Sequence, residues 1–298
     1  MARLLRRLGY RYIKGENRHY LADSVQNVAY RTTYLQRKVA NRDRNNNPIK
    51  PEVYLDESYV NVNHVRGKSW LGSDRKRYAA SGKGARICMI ATGILYRQGN
   101  ELRGHFVEQS FKDWVANRGR LPRTLHGPCL IYMDGAAYHK RNIMPAPTTR
   151  TKKAEIVQWL QHNGVPHNDK LYKTQLLDLV RAHKPPPFYM AVAIATMYGH
   201  CILYTPPYLP ELQPIELIWG NMKGWIGRNP AKSIGELEEK VATSKQQIIS
   251  KEWRNAYKEI QKEEDQYLRA LESDDIECTD AGEREENSEA SDSRDEGL

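Results

Sequence analysis

Three acidic side chains stand where apolar segments stop or a helix starts. Asp56 follows the run VYL, Asp134 follows LIYM, and Glu216 comes after the proline-rich turn PPYLPELQP, just inside the helical segment that carries WGNMKGW. Singly, an aspartate after a strand is an ordinary turn former, and a glutamate behind Pro214 suits the positive end of a helix dipole. Together they permit more. Strand ends on one edge of a sheet converge, and three negative charges crowded there are costly unless a cation neutralises them. Oxygen donors of this kind suit Mg²⁺ or Mn²⁺, and two such ions about 4 Å apart activate a water and stabilise the leaving oxygen of a phosphodiester. Lys223 shares a helical face with Glu216, Gly220 and Gly227, while Ile215, Ile218, Met222 and Trp225 form an apolar stripe elsewhere. That face either lets a phosphate backbone approach closely or packs its glycines against a neighbouring helix.

Positioning such residues takes a sheet and helices. Apolar runs of strand length occur at 52–56 (EVYLD), 86–95 (RICMIATGIL), 128–134 (PCLIYMD) and 200–206 (HCILYTP). Helical patterns alternate with them: Val107, Phe111, Trp114 and Val115 mark one, 191–198 another, and 215–226 a third. This order predicts an α/β domain with a mixed central sheet flanked by helices. Ahead of the first strand, a helix is predicted from Asp23, as N-cap, to about Arg44. Its apolar positions are Val25, Val28, Ala29, Leu35 and Val39, and its exposed side carries Arg31, Arg37, Lys38, Arg42 and Arg44. Between His139 and Pro187, the segments TKKAEIVQWLQHNG and YKTQLLDLVRAHKPPP read as an inserted pair of amphipathic helices stopped by Gly164 and by prolines. Ser233 and Glu236 have the spacing of a capping box, and a helical stripe continues to about Leu271.

The net charge of +10 hides an asymmetry. Residues 272–298 hold 12 acidic and 2 basic side chains, a net of −10, which leaves 44 basic and 24 acidic, or +20, in residues 1–271. A body of that sign attracts polyanions, nucleic acid foremost. The acidic segment is poor in large apolar residues and reads as disordered. No stretch approaches the roughly 20 apolar residues of a membrane helix, so no membrane partner is expected. The cysteines Cys88, Cys129, Cys201 and Cys278 form no CxxC pair or disulfide framework, and three of them sit in apolar runs, which fits a reducing compartment.

The block PPYLPELQPIELIWGNMK resembles the third signature of the mariner-type DDE transposases, PPYSPDLNPIE…W…K. Asp56 in VYLDES, followed by Glu57, resembles that family's first aspartate, and Asp134 in DGAAYH its second, usually written D-N-A-x-x-H. The resemblance implies a ribonuclease-H-like fold in which Asp56, Asp134 and Glu216 hold two Mg²⁺ (or Mn²⁺) ions, with Glu57 and His139 as supports and no small-molecule cofactor. It implies cleavage of DNA at transposon ends, then attack of the freed 3′-hydroxyl on target DNA, by a homodimer in the nucleus (if the host is eukaryotic; otherwise in the cytoplasm). Gly135 replaces the family's asparagine, and Glu216 comes 82 positions after Asp134 where the family has a gap of a few tens. The excess is the insertion at 147–187, which resembles SAP-like DNA-binding modules; Lys152 and Lys153 there, with Lys223, Arg37 and Lys38, are the candidate DNA contacts, or the insertion is a solvated decoration.

The resulting organisation is a remnant of a helix-turn-helix region with a basic linker helix at 1–50, a catalytic domain at 51–230, a helical region at 231–271 and the acidic tail at 272–298. Two other readings remain open: an inactive or domesticated DNA-binding protein that keeps the fold, and a ribonuclease-H-like enzyme acting on RNA or hybrids.

Overall fold

The computed structural model describes residues 19–65, 82–107, 127–168 and 170–289, together with Leu4 and Arg7. Its centre is a mixed sheet of β1 (Glu52–Asn61), β2 (Arg86–Gln98), β3 (Glu101–Val107), β4 (Leu130–Met133) and β5 (Cys201–Tyr204). The spatial order is β3-β2-β1-β4-β5. β1 pairs antiparallel with β2, as β2 does with β3, whereas β1 with β4 and β4 with β5 run parallel. The helices are α1 (Val25–Val39), α2 (Lys153–His162), α3 (Lys173–His183), α4 (Met190–Met197), α5 (Pro214–Arg228), α6 (Ile234–Gln246) and α7 (Ser250–Glu289). The α/β architecture is the expected one. No helix among the described residues is long and apolar enough to cross a membrane.

The sheet has a different apolar layer on each face. Tyr54, Val60 and Leu95 pack with Ile215, Ile218 and Met222 of α5 and with Trp253 and Tyr257 of α7, while Val53, Leu55, Ile131 and Met133 turn the other way, toward Ala195 of α4. Gly93 and Gly104 make room for α7: a methyl group at either would overlap Trp253, which is fully buried edge-on to Phe106. The insertion helices α2 and α3 close on a third cluster of their own, built from Ile156, Leu160, Leu176 and Val180.

Several expectations are corrected. β1 does not stop at Asp56 but runs on to Asn61, because β2 continues to pair with it as far as Asn61↔Arg86. Asp56 is therefore mid-strand, opposite Ala91. β3 was not expected at all; it follows a two-residue Gly99–Asn100 turn in which Gly99 takes a left-handed φ of 61°. Val107 ends that strand rather than starting a helix, and Phe111, Trp114 and Val115 lie outside the described residues, as do the segment 3–11, apart from Leu4 and Arg7, and residues 290–298. Cys129 is buried, but Cys88 and Cys201 are exposed. The last helix continues to Glu289, past the expected boundary at Leu271.

α1 shows the sharpest inversion. Its N-cap is Ser24, and Asp23 instead accepts a hydrogen bond from Arg31 at 3.1 Å. The buried face is Asn27, Arg31, Tyr34, Leu35 and Lys38, while Val25 and Val39 are exposed. Lys38, expected on the solvent side as a DNA contact, is fully buried: its Nζ lies 2.6 Å from Glu264 of α7 and donates to the Leu212 carbonyl. Arg42 pairs with the same glutamate. A partner charge on α7 compensates the desolvation of cations that would otherwise face water.

Candidate active site

β1 alternates its side chains across the sheet, so Asp56 follows Glu52 and Tyr54 onto the α5 side while Glu57 points to the other. On the α5 side, the Trp219 indole N–H donates to Asp56 Oδ2 at 2.8 Å. Asp134 lies one residue beyond β4, where its Oδ1 accepts from the Ala136 N–H at 3.0 Å and so closes a tight turn. Glu216 occupies the first turn of α5, with Pro214 at the head of the helix. The chain reaches it through a rigid approach: Tyr208 holds a left-handed φ of 64°, Pro210–Leu212 forms a 3₁₀ turn, and Tyr267 of α7 donates to Glu211 at 2.7 Å.

These three carboxylates line one cavity of about 340 Å³. Thr205, Gln213 and Lys140 are also in its wall. Burial and the neighbouring Glu216 charge push the Asp56 carboxyl up to about 7, against the hydrogen bond from Trp219. Burial raises Glu216 as well; Lys223 pulls against that, and Asp134 adds to it. Both carboxylates are thus disfavoured as anions in the cavity as it stands, which is the electrostatic condition a cation relieves. Among the described residues, no three His, Cys, Asp or Glu side chains converge closely enough to hold a metal ion without moving. The donor set nevertheless fits a hard divalent cation, being oxygen-only and carboxylate-rich.

His139 is buried, its Nε2 3.4 Å from both Glu57 and Asp134. Burial alone would raise Glu57, but hydrogen bonds from His139 and from the Tyr138 hydroxyl, the latter at 2.9 Å, hold it low. Lys223 lies over the Tyr59 ring, 5.7 Å from its centre. Gly220 faces open space, so internal packing does not explain it. Lys152, Lys153 and Arg37 are exposed on α1 and at the start of α2, outside the cavity wall, and Lys38 is withdrawn from any DNA-contacting role by its burial against Glu264. Neither Trp219 nor Lys140 stood out in the sequence, although Trp219 sits three residues after Glu216 and hence on an adjoining face, and Lys140 is next to His139.

The profile of the DDE superfamily endonucleases matches residues 51–238, a stretch that contains the sheet, the cavity and α5. The chain belongs to the DDE superfamily endonucleases, the family to which its mariner-type motifs pointed. Its fold is that of the ribonuclease-H-like Mos1 mariner transposase: against the paired-end complex of that protein with Mn, the TM-score is 0.51 at 13% identity, covering 92% of this chain and 69% of the other. The Mos1 strand transfer complex (TM-score 0.47, 14% identity, 92% and 68% covered) and a pre-cleavage Mos1 transpososome (TM-score 0.46, 11% identity, 92% and 69% covered) are also similar. No curated protein matches the chain in sequence.

Proposed function

We propose that the chain is a transposase-type DNA endonuclease and strand transferase in which Asp56, Asp134 and Glu216 hold two divalent cations, Mg²⁺ or Mn²⁺. The observation that carries this reading is the meeting of three carboxylates, from three separate elements of a DDE endonuclease domain, around one cavity. When bound, such ions supply an activated water and a counter-charge for the leaving oxygen of a phosphodiester. The protein's own side chains do the rest. Trp219 fixes one oxygen of Asp56, His139 bridges Asp134 to Glu57, and Lys223 tempers the charge of Glu216. Water attacks a DNA phosphodiester and frees a 3′-hydroxyl, which then attacks a target phosphodiester and displaces its 3′-oxygen.

The +20 body, with Lys223, Lys152, Lys153 and Arg37 on its surface, supplies affinity for the DNA backbone. The Mos1 mariner structure is a paired-end complex with Mn, which supports divalent chemistry and DNA ends as the substrate here. We extend the proposal to a homodimer acting in the nucleus of a eukaryotic host, to a folded domain spanning 51–230, and to the insertion at 147–187 as an auxiliary DNA-binding element.

The test is nicking of supercoiled plasmid with Mg²⁺ or Mn²⁺, and its loss on chelation. Asp56→Asn, Asp134→Asn and Glu216→Gln should each lower the rate by at least ~100-fold, the scale on which charge-stabilising groups act. Unchanged nicking in one variant removes that residue from the site. DNA binding by the wild type without any cutting would favour the inactive, DNA-binding reading.

A further inference from the structure

Lys140 stands where two hollows meet. The cavity that holds the carboxylates adjoins a second hollow of about 400 Å³ whose wall includes Ser24, Gln26 and Tyr30, and Lys140, Thr205, Pro207 and Tyr208 belong to both. The Lys140 ammonium lies 5.1 Å from the centre of the Tyr204 ring, which supports its stem along the wall. Among the described residues no carboxylate comes within ion-pair distance of it, although three line the same cavity. Gly135 makes this placement possible: a Cβ there would come 2.8 Å from the Lys140 Nζ, so a larger side chain would displace the ammonium.

We propose that Lys140 is a substrate-binding residue that takes a backbone phosphate of the DNA strand next to the phosphodiester facing the carboxylates, with that strand running into the second hollow. This rests on the endonuclease reading above. A cavity lined by three carboxylates repels a polyanion, and a cation at its rim gives the strand a point of attachment without consuming a carboxylate. Lysine suits the task as a compact point charge on a flexible stem. The loss of a side chain at Gly135 and the presence of a cation five residues later are then one exchange: the position gives up a polar group and the neighbouring ammonium fills its space.

The experiment measures binding of a fluorescein-labelled DNA duplex by anisotropy across a range of salt concentrations, for the full chain and its variants. Lys140→Met should weaken binding several-fold and reduce the slope of log affinity against log salt by about 1, the signature of one lost phosphate contact. Lys140→Arg should restore the slope. In cleavage assays the loss should fall on KM more than on kcat. Gly135→Asn should reproduce the weakened binding in the wild-type background and add nothing to Lys140→Met, since both act on the same ammonium. A Lys140→Met protein of unaltered melting temperature and unaltered salt slope overturns the proposal while leaving the endonuclease reading intact. A wild-type chain that binds no DNA overturns both.

Discussion

Asp56 holds a proton at a pH where the unfolded chain has lost it. Its carboxyl is pushed from the ordinary 3.8 up to about 7, chiefly by burial and then by Glu216. Between those values the folded protein binds more protons than the unfolded chain, so this residue's contribution to stability falls as pH rises through the interval and stays low above it. Asp56→Asn, which carries no charge to desolvate, should therefore raise the melting temperature at pH 8 and leave it nearly unchanged at pH 4. Mg²⁺ should raise the wild-type melting temperature at pH 8 and do little for the variant. A melting curve for Asp56→Asn that matches wild type at pH 8 contradicts this account. Asp56 and Asp134 stood out in the sequence because apolar runs end beside them, and Glu216 because it follows a proline-rich turn at the start of a helix. Trp219 was not, because an indole reads as core until a nearby acceptor shows that its N–H is in use.

Glu216 is placed by elements far from it in sequence. Lys38 of α1 donates to the Leu212 carbonyl, Tyr267 of α7 donates to Glu211, and Glu264 of α7 neutralises both Lys38 and Arg42. The 3₁₀ turn that leads into α5 is thereby gripped from two helices. Glu264 is fully buried, and replacing it strands two cations without a partner. Glu264→Ala should cost about 3–5 kcal/mol of stability in urea denaturation. Lys38→Met should cost less, because Arg42 still satisfies the glutamate. Equal costs for the two would show that the cations, not the lone anion between them, set the energetics. None of this could be read from the chain alone, since Lys38 and Arg42 look like a solvent-facing basic stripe until a glutamate more than two hundred residues away is brought against them. The β2–β3 hairpin, in contrast, was legible and overlooked: Gly99–Asn100 between two apolar runs is a two-residue turn signal. Its twin glycines, Gly93 and Gly104, carry no such signal, because only the docked Trp253 explains them.

Taken whole, the molecule opposes a +20 body to a −10 C-terminal segment, which the α7 backbone carries forward as helix to Glu289. An acidic segment tethered to a surface of positive charge competes with any polyanion for it. Deleting residues 272–298 should tighten nonspecific DNA binding at low salt, with the gain shrinking as salt rises and the Debye length falls below about 10 Å. A titration that finds equal or weaker affinity for the shortened chain refutes the competition. Tolerance of that deletion also depends on where the grip on the site ends: Glu264 and Tyr267 lie inside the retained part. The same clasp imposes an order on protein synthesis. A ribosome completes β1, β4 and α5, and so all three carboxylates, before it reaches Glu264, yet until that residue emerges Lys38 and Arg42 lack their counter-charge and the turn ahead of Glu216 lacks its hold. A nascent chain thus carries all three carboxylates while it still lacks the clamp that seats the turn ahead of Glu216, so the cavity takes its final shape only after α7 has emerged and docked.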